Sequence, residues 1–168
     1  MAARDVLKNF SLTFDGRGYA GQVTEYNAPD LTIVTEDYRA GGMDAPLALE
    51  MGMEALTCSF VLISYDADVL SYWGLAPGQA VPLTARGAIE GYHGTVKAVV
   101  HSMRGKITAV ARGTWGSGQA ASLTITMALD YYAETIDGVS ICEIDIENMI
   151  RVIGGVDRLA AVRAALGL

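Results

Sequence analysis

The sequence predicts a mainly β fold with two short helices, and three observations carry that reading. Leu123, Ile125, Met127 and Leu129 alternate with Ser122, Thr124 and Thr126, the period of a strand buried on one side. Asp137-Gly138 is strong hairpin chemistry directly beyond that run. Only two stretches, near Asp66 and after Asp157, space apolar residues as a helix does. At 168 residues the chain fits one domain, 1–168, long enough to bury a core without disulfide or metal staples.

The elements follow in order. Val6 to Phe14 alternates, Asp15-Gly16-Arg17-Gly18 turns, and Tyr19 to Glu25 is a second run. Pro29 and Asp30 punctuate before a third strand, Leu31 to Glu36. Asp37 to Ala45 has Gly41-Gly42 and no apolar period, which predicts a long loop ended by Pro46. Leu47, Leu49 and Met51 then alternate with Ala48 and Glu50, and Leu56 to Ser64 is a strand with Cys58, Phe60 and Leu62 on one face. Ser64 or Asp66 can cap a helix in which Val69, Leu70 and Trp73 share a face and Gly74 ends the turn. Val81 to Glu90 and Thr95 to Met103 return to strand, whereas Gly105 to Gly118 reads as irregular. After the Leu123 strand and its hairpin, Val139 to Ile144 returns. Asp157 can then cap a last helix, with Leu159, Val162 and Leu166 aligned and Gly167 closing it. No repeat, low-complexity segment or linker interrupts the pattern. Such a sheet closes into a sandwich or barrel, or pairs its edges with neighbours.

Composition bounds the function. The chain is 51% apolar with a mean hydropathy of +0.29, yet its longest strongly apolar run is Phe60-Val61-Leu62-Ile63, far below the ~20 residues of a spanning helix. Asp5, Lys8 and Asn9 break any apolar stretch behind Arg4, so no secretory signal is expected. The apolar excess fits surface hidden in subunit contacts and a well-filled core equally. Nineteen acidic against twelve basic residues give a net charge of −7, and Lys8, Lys97 and Lys106 are scattered. This argues against a nucleic-acid grip, which needs clustered cations to neutralise phosphates. The two cysteines, Cys58 and Cys142, lack C-x-x-C spacing, and Cys58 in its apolar run beside Phe60 reads as a reduced core thiol, which points to synthesis in the cytoplasm.

The search for catalytic or ligand-binding chemistry returns little. Gly16-x-Gly18-x-x-Gly21 matches the dinucleotide fingerprint in letters, but that mechanism needs a helix N-terminus for the phosphate. Here Gln22-Val23-Thr24 and Pro29 follow, so a glycine-rich hairpin is the reading. Asn9-Phe10-Ser11 is a glycosylation sequon without a secretory route. His93 and His101 lack companions at metal-ligand spacing, and neither has a serine or cysteine in a nucleophile elbow. Asp66 and Asp68 begin like a calcium loop, but Leu70 and Tyr72 occupy the next ligand positions. No cofactor, metal or catalytic residue is expected. The opposing class, an enzyme or ligand-binding β-sandwich, would show itself as a pocket with perturbed titratable groups.

Two segments carry a resemblance. One is Tyr38-Arg39-Ala40-Gly41-Gly42-Met43-Asp44-Ala45-Pro46, followed by Glu50-Met51-Gly52-Met53-Glu54-Ala55. The other runs from Glu143 onward, with Glu143-Ile144-Asp145, Asn148, Gly155-Val156-Asp157, Leu159, Arg163 and Leu166-Gly167-Leu168 as landmarks. Both resemble the major tail tube proteins of contractile-tailed phages and of R-type pyocins, with further agreement at Gly21, Pro29, Gly74-Leu75, Arg104-Gly105, Gly113 and Trp115. The stretch from Lys106 to Ala111 departs from the charged pattern expected there.

The resemblance implies a small β-sandwich or split barrel flanked by a helix, in hexameric rings that stack into a hollow tube within a sheath. Strands joined edge to edge would line the lumen. The implied partners are further copies of the chain, a sheath protein, baseplate or tube-initiator and terminator proteins, and DNA passing without specific binding. The implied location is the virion or tailocin particle, and a secretion-system tube is the related alternative. The loop from Asp37 to Pro46 is expected to reach a neighbouring subunit or ring through Tyr38, Arg39, Gly41, Gly42, Met43 and Asp44. The acidic balance suggests a neutral to negative lumen, with Thr124 and Thr126 as candidate lining residues.

Overall fold

The computed structural model describes residues 5–168, so Arg4 lies outside the described residues. Twelve strands and two short helices form: β1 Val6–Phe14, β2 Arg17–Gly18, β3 Val23–Asn27, β4 Ile33–Tyr38, β5 Leu47–Met53, β6 Thr57–Leu62, α1 Ala67–Ser71, β7 Val81–Glu90, β8 Val96–Arg112, β9 Leu123–Ile136, β10 Val139–Asp145, β11 Ile150–Ile153, β12 Val156–Asp157 and α2 Ala160–Leu166. The mainly β expectation with two helices holds.

Ten strands make one antiparallel sheet in the order β12-β11-β10-β9-β8-β7-β1-β2, with β6 also on β9 and β3 on β6. The long strands β8 and β9 organise it. Leu123–Ala128 of β9 pair with β6, Tyr131–Ile136 pair with β10 along the same edge, and β8 runs the full length of the other edge. The register shifts at Arg104/Gly105, so Asp130 bulges out and the buried parity of β9 changes phase. Leu123, Ile125, Met127 and Leu129 face the core before the bulge, and Tyr132 faces it afterwards. The sheet curls until Phe14 of β1 meets Phe60 of β6 with ring centroids 6.0 Å apart. One apolar core results, with Leu12, Leu62, Leu83, Met103, Ile107 and Ile144 among its residues. Full burial of each such side chain contributes on the order of 1.5–3 kcal/mol.

Several expectations need correction. Gly105 to Gly118 is irregular only from Gly113 onward: β8 continues through Gly105 to Arg112. Gly105 leaves no room for a side chain beside β9, because a Cβ there would stand 2.1 Å from the Ala128 carbonyl oxygen. The second run starts only at Val23, because Gln22 N–H bonds the Tyr19 carbonyl in a turn. The third strand runs Ile33–Tyr38, so the long loop contracts to residues 39–46. Asp66 does cap α1, its Oδ1 accepting from Asp68 N–H at 2.8 Å, but the helix has one turn and Trp73 lies beyond it, 59% exposed. Asp157 is not the N-cap of α2: Leu159 holds that position, and Asp157 belongs to β12. Strands β11 and β12, folded back at Gly154-Gly155, were not anticipated.

β4 and β5 form a separate two-stranded sheet. β3 leads into β4 and β5 leads into β6, with both strands interrupted between, over 28–32 and 54–56. Glu54 N–H bonds the Thr32 carbonyl at 3.0 Å across that interruption. The ribbon therefore extends the β3–β6 pair as an arm.

Substitution of Gly105 by alanine forces the β8–β9 crossing apart. We expect a loss of about 3 kcal/mol, roughly 6–12 °C in Tm by circular dichroism. Gly18→Ala, where the added Cβ meets nothing within 4 Å, serves as control and stays within about 0.5 kcal/mol of the parent.

Candidate assembly surface

The arm is built like an element waiting to be covered. Every β4 residue is exposed, as is every β5 residue but Met53, whereas an isolated two-stranded hairpin is marginal in water. Strand alternation sets Leu47, Leu49 and Met51 on one face, at 54%, 41% and 60% exposure. Tyr38 lies opposite Leu47 and Glu36 opposite Leu49, extending this face across the ribbon. Residues 30–54 hold six acidic side chains against the single Arg39, which makes five of the chain's seven net negative charges.

At the tip, Arg39 folds back on its own loop. Its Nε donates to the Met43 carbonyl at 3.3 Å and its Nη2 to the Asp44 carbonyl at 3.2 Å. Met43 N–H donates to the Ala40 carbonyl at 3.2 Å, closing a turn through Gly41-Gly42. Arg39 and Met43 thus shape the tip, while Tyr38, Gly41, Gly42 and Asp44 are exposed. The six tip residues named from the sequence stand together.

The C-terminal landmarks form a second group with a different task. Asp145 accepts from Asn148 N–H at 3.0 Å and from Asn148 Nδ2 at 2.8 Å, which fixes the turn between β10 and β11. Burial pushes the Asp145 carboxyl up, but these donors and the Arg104 charge outweigh it and hold the group below its usual range. Asp157 Oδ1 accepts from Leu159 N–H at 3.0 Å and its Oδ2 from Arg163, while Arg163 Nη1 reaches the Met149 carbonyl at 2.6 Å. The Arg163 hydrogen bond, then the Leu159 amide, lowers the Asp157 pKa. Glu143 accepts from the Tyr131 hydroxyl at 3.0 Å, and Gly155 completes the turn from β11 into β12, where Val156 pairs with Ile153. These residues hold α2 in place, although α2 itself buries no residue and leaves Val162 and Leu166 exposed.

Among the described residues, no side-chain hydrogen bond or ion pair joins the tip to the C-terminal group. It is the root of the arm that meets the C-terminal segment, across an apolar cleft of about 790 Å³ walled by Met53, Leu56, Ile144, Met149, Leu159 and Val162. One bond crosses there: Arg151 Nη2 of β11 donates to Glu50 Oε1 of β5. Sequence reasoning missed this pair, and 101 residues of separation leave no spacing signal to find it.

The titratable groups of the core contact one another. Tyr26 Oη lies 3.0 Å from His101 Nδ1, and His101 Nε2 lies 3.6 Å from Glu134. Burial lowers the His101 pKa against the opposing pull of Glu134, so the ring is neutral near pH 7. Burial pushes the Cys58 thiol up to about 12, which removes it as a nucleophile. Among the described residues, no group of three or more His, Cys, Asp or Glu side chains is placed to hold a metal. No helix among them is long and apolar enough to cross a membrane.

Comparison with known proteins supplies the family. A family model described as phage tail tube protein FII matches residues 4–167. The tail tube protein of Escherichia phage P2 is 31% identical over 172 residues, covering 100% of both chains. The major tail tube protein of Serratia phage KSP20 is 29% identical over 152 residues, covering 89% of this chain and 88% of the relative. Among solved structures, an anti-feeding prophage tube-terminating cap aligns with a TM-score of 0.62 at 14% identity, covering 80% of this chain and 94% of that one. The sheath–tube complex of an extracellular contractile injection system, in its extended state, aligns at 0.58 and 12% identity, covering 75% and 87%. At such identities these two speak for the fold alone. With the family model spanning almost the whole sequence, the chain belongs to the phage tail tube protein FII family, whose members are structural tube subunits and not enzymes.

Proposed function

We propose that this chain acts as one domain that forms hexameric rings, and that the rings stack into the rigid inner tube of a contractile tail. The observation that carries this is the β4–β5 arm, an apolar-faced, acidic two-stranded ribbon with no partner strand on either edge among the described residues. An element that cannot cover its own apolar face is stabilised by a second copy. Tip and root are different patches, so a contact from one copy's arm to another copy is head-to-tail. Such contacts close into rings when the rotation closes and propagate as a filament when it does not.

The likeness to a sheath–tube complex and to a tube-terminating cap supports a sheath protein and a terminator as further partners. Sheath contraction would drive the tube through a target envelope, and DNA or ions would pass along the lumen. A baseplate or initiator protein would nucleate the first ring. The half-buried Thr124 and Thr126 point away from the core of β9 and are our candidates for a lumen wall, with Lys106 opposite Ala128 as the neighbouring cation. Hydroxyl side chains themselves give passing phosphates no ion pairs to break.

Electron microscopy of the purified protein tests the tube directly: rings or smooth hollow tubes support it, and dispersed particles at all concentrations reject it. Tyr38→Ser combined with Met43→Ser should leave folded subunits whose critical concentration for polymerisation rises roughly thirty-fold, about 2 kcal/mol for a contact of this kind. Trypsin gives an independent reading, because Arg39 is the only lysine or arginine between Arg17 and Arg86. Dispersed subunits should be cut after Arg39, and assembled tubes should resist; equal cleavage of both would place the tip outside the contacts.

A further inference from the structure

The arm has a joint at its root. Both strands of the ribbon lose regular pairing at the same level, over 28–32 on one side and 54–56 on the other. Pro29 lies within the first interruption, and Gly52, with φ of +110°, stands just before the second. Beyond this joint, one side-chain hydrogen bond ties Ile33–Met53 to the remainder of the described residues, the bond from Arg151 to Glu50. It joins the arm to β11, two strands away from β9 in the main sheet.

We infer that the Glu50–Arg151 pair is the latch that sets the angle of the arm against the body, and that this angle governs how readily subunits join. The inference rests on the tube reading for its consequence but not for its geometry. An exposed ion pair between flexible side chains would do little. Here the Arg151 side chain is only 14% exposed, held over the apolar cleft beneath the arm, so water competes poorly for the guanidinium. Glu50 is half exposed and sits on the ribbon face opposite Leu47 and Leu49. The latch therefore draws in the acidic side of the arm and leaves its apolar row facing outward. Without it, two interrupted strands, the Glu54–Thr32 bond and the packing of Met53 against the core hold the ribbon, and its outer part would sample a wider range of angles. A docking element that must be fixed before it can bind loses affinity in proportion to the fraction of time it is correctly placed.

Glu50→Gln removes the charge at an exposed position and should leave the fold intact; Arg151→Met removes the other partner. Hydrogen exchange on dispersed subunits should show the amides of Ile33–Met53 exchanging at least ten-fold faster in both variants, with β8 and β9 amides unchanged. Tube growth, followed by light scattering, should slow at least ten-fold in the same variants. Unchanged arm exchange in both would overturn the latch. Faster arm exchange with tube growth at the parent rate would overturn its role in joining subunits. If the parent protein itself forms no tubes, the tube reading fails, while the exchange measurement still decides the latch.

Discussion

The close crossing of β8 and β9 at Gly105 is the constraint on which the other elements depend. β9 serves β6 on one half of an edge and β10 on the other half, and it can do so only if it bends between them. The bend needs the Asp130 bulge, and the bulge needs a neighbouring strand with no side chain in the way. Arg104 completes the arrangement, its Nε bonding the bulged Asp130 at 2.9 Å. From this one crossing follow the curl that brings Phe14 to Phe60, the enclosure of the core, and the directions in which the ribbon and the C-terminal segment leave it.

The molecule divides its labour accordingly. The core side is apolar and closed, with its few polar side chains bonded to one another. The arm and α2 are the reverse, since neither buries its apolar row. The C-terminal landmarks stand out in the sequence through family resemblance, and in the structure Asp145, Asn148, Asp157 and Arg163 shape the segment itself.

Much of the fold was legible in the sequence wherever a local rule suffices. The alternation of β9 to Leu129, the Asp137-Gly138 turn and the Asp66 cap are each decided within a few residues. The second half of β8 was hidden because Gly105 looks like a breaker when only its neighbours along the chain are considered. Its lack of a side chain is instead demanded by Ala128, 23 residues away. β11 and β12 are too short for any period to declare itself, and their hairpin rests on two glycines that also suit a loop. The tip residues were recognisable together through family resemblance, whereas Glu50 and Arg151 meet only after the whole chain has folded.

The uneven charge of the arm has a consequence for the time before any particle exists. Three net negative charges on the projecting ribbon, with Asp30 and Glu54 at its root, repel the same ribbon on every other subunit. That repulsion reaches roughly 8–10 Å at physiological salt, further than an apolar contact does. Two subunits approaching arm to arm are turned away before Leu47 or Met51 can touch anything. Only an approach that brings one arm to a different, less acidic patch gets close enough for the short-range attraction to take hold. In the proposed tube, the sign of the charge thus filters out unproductive collisions, and the apolar row holds those that pass.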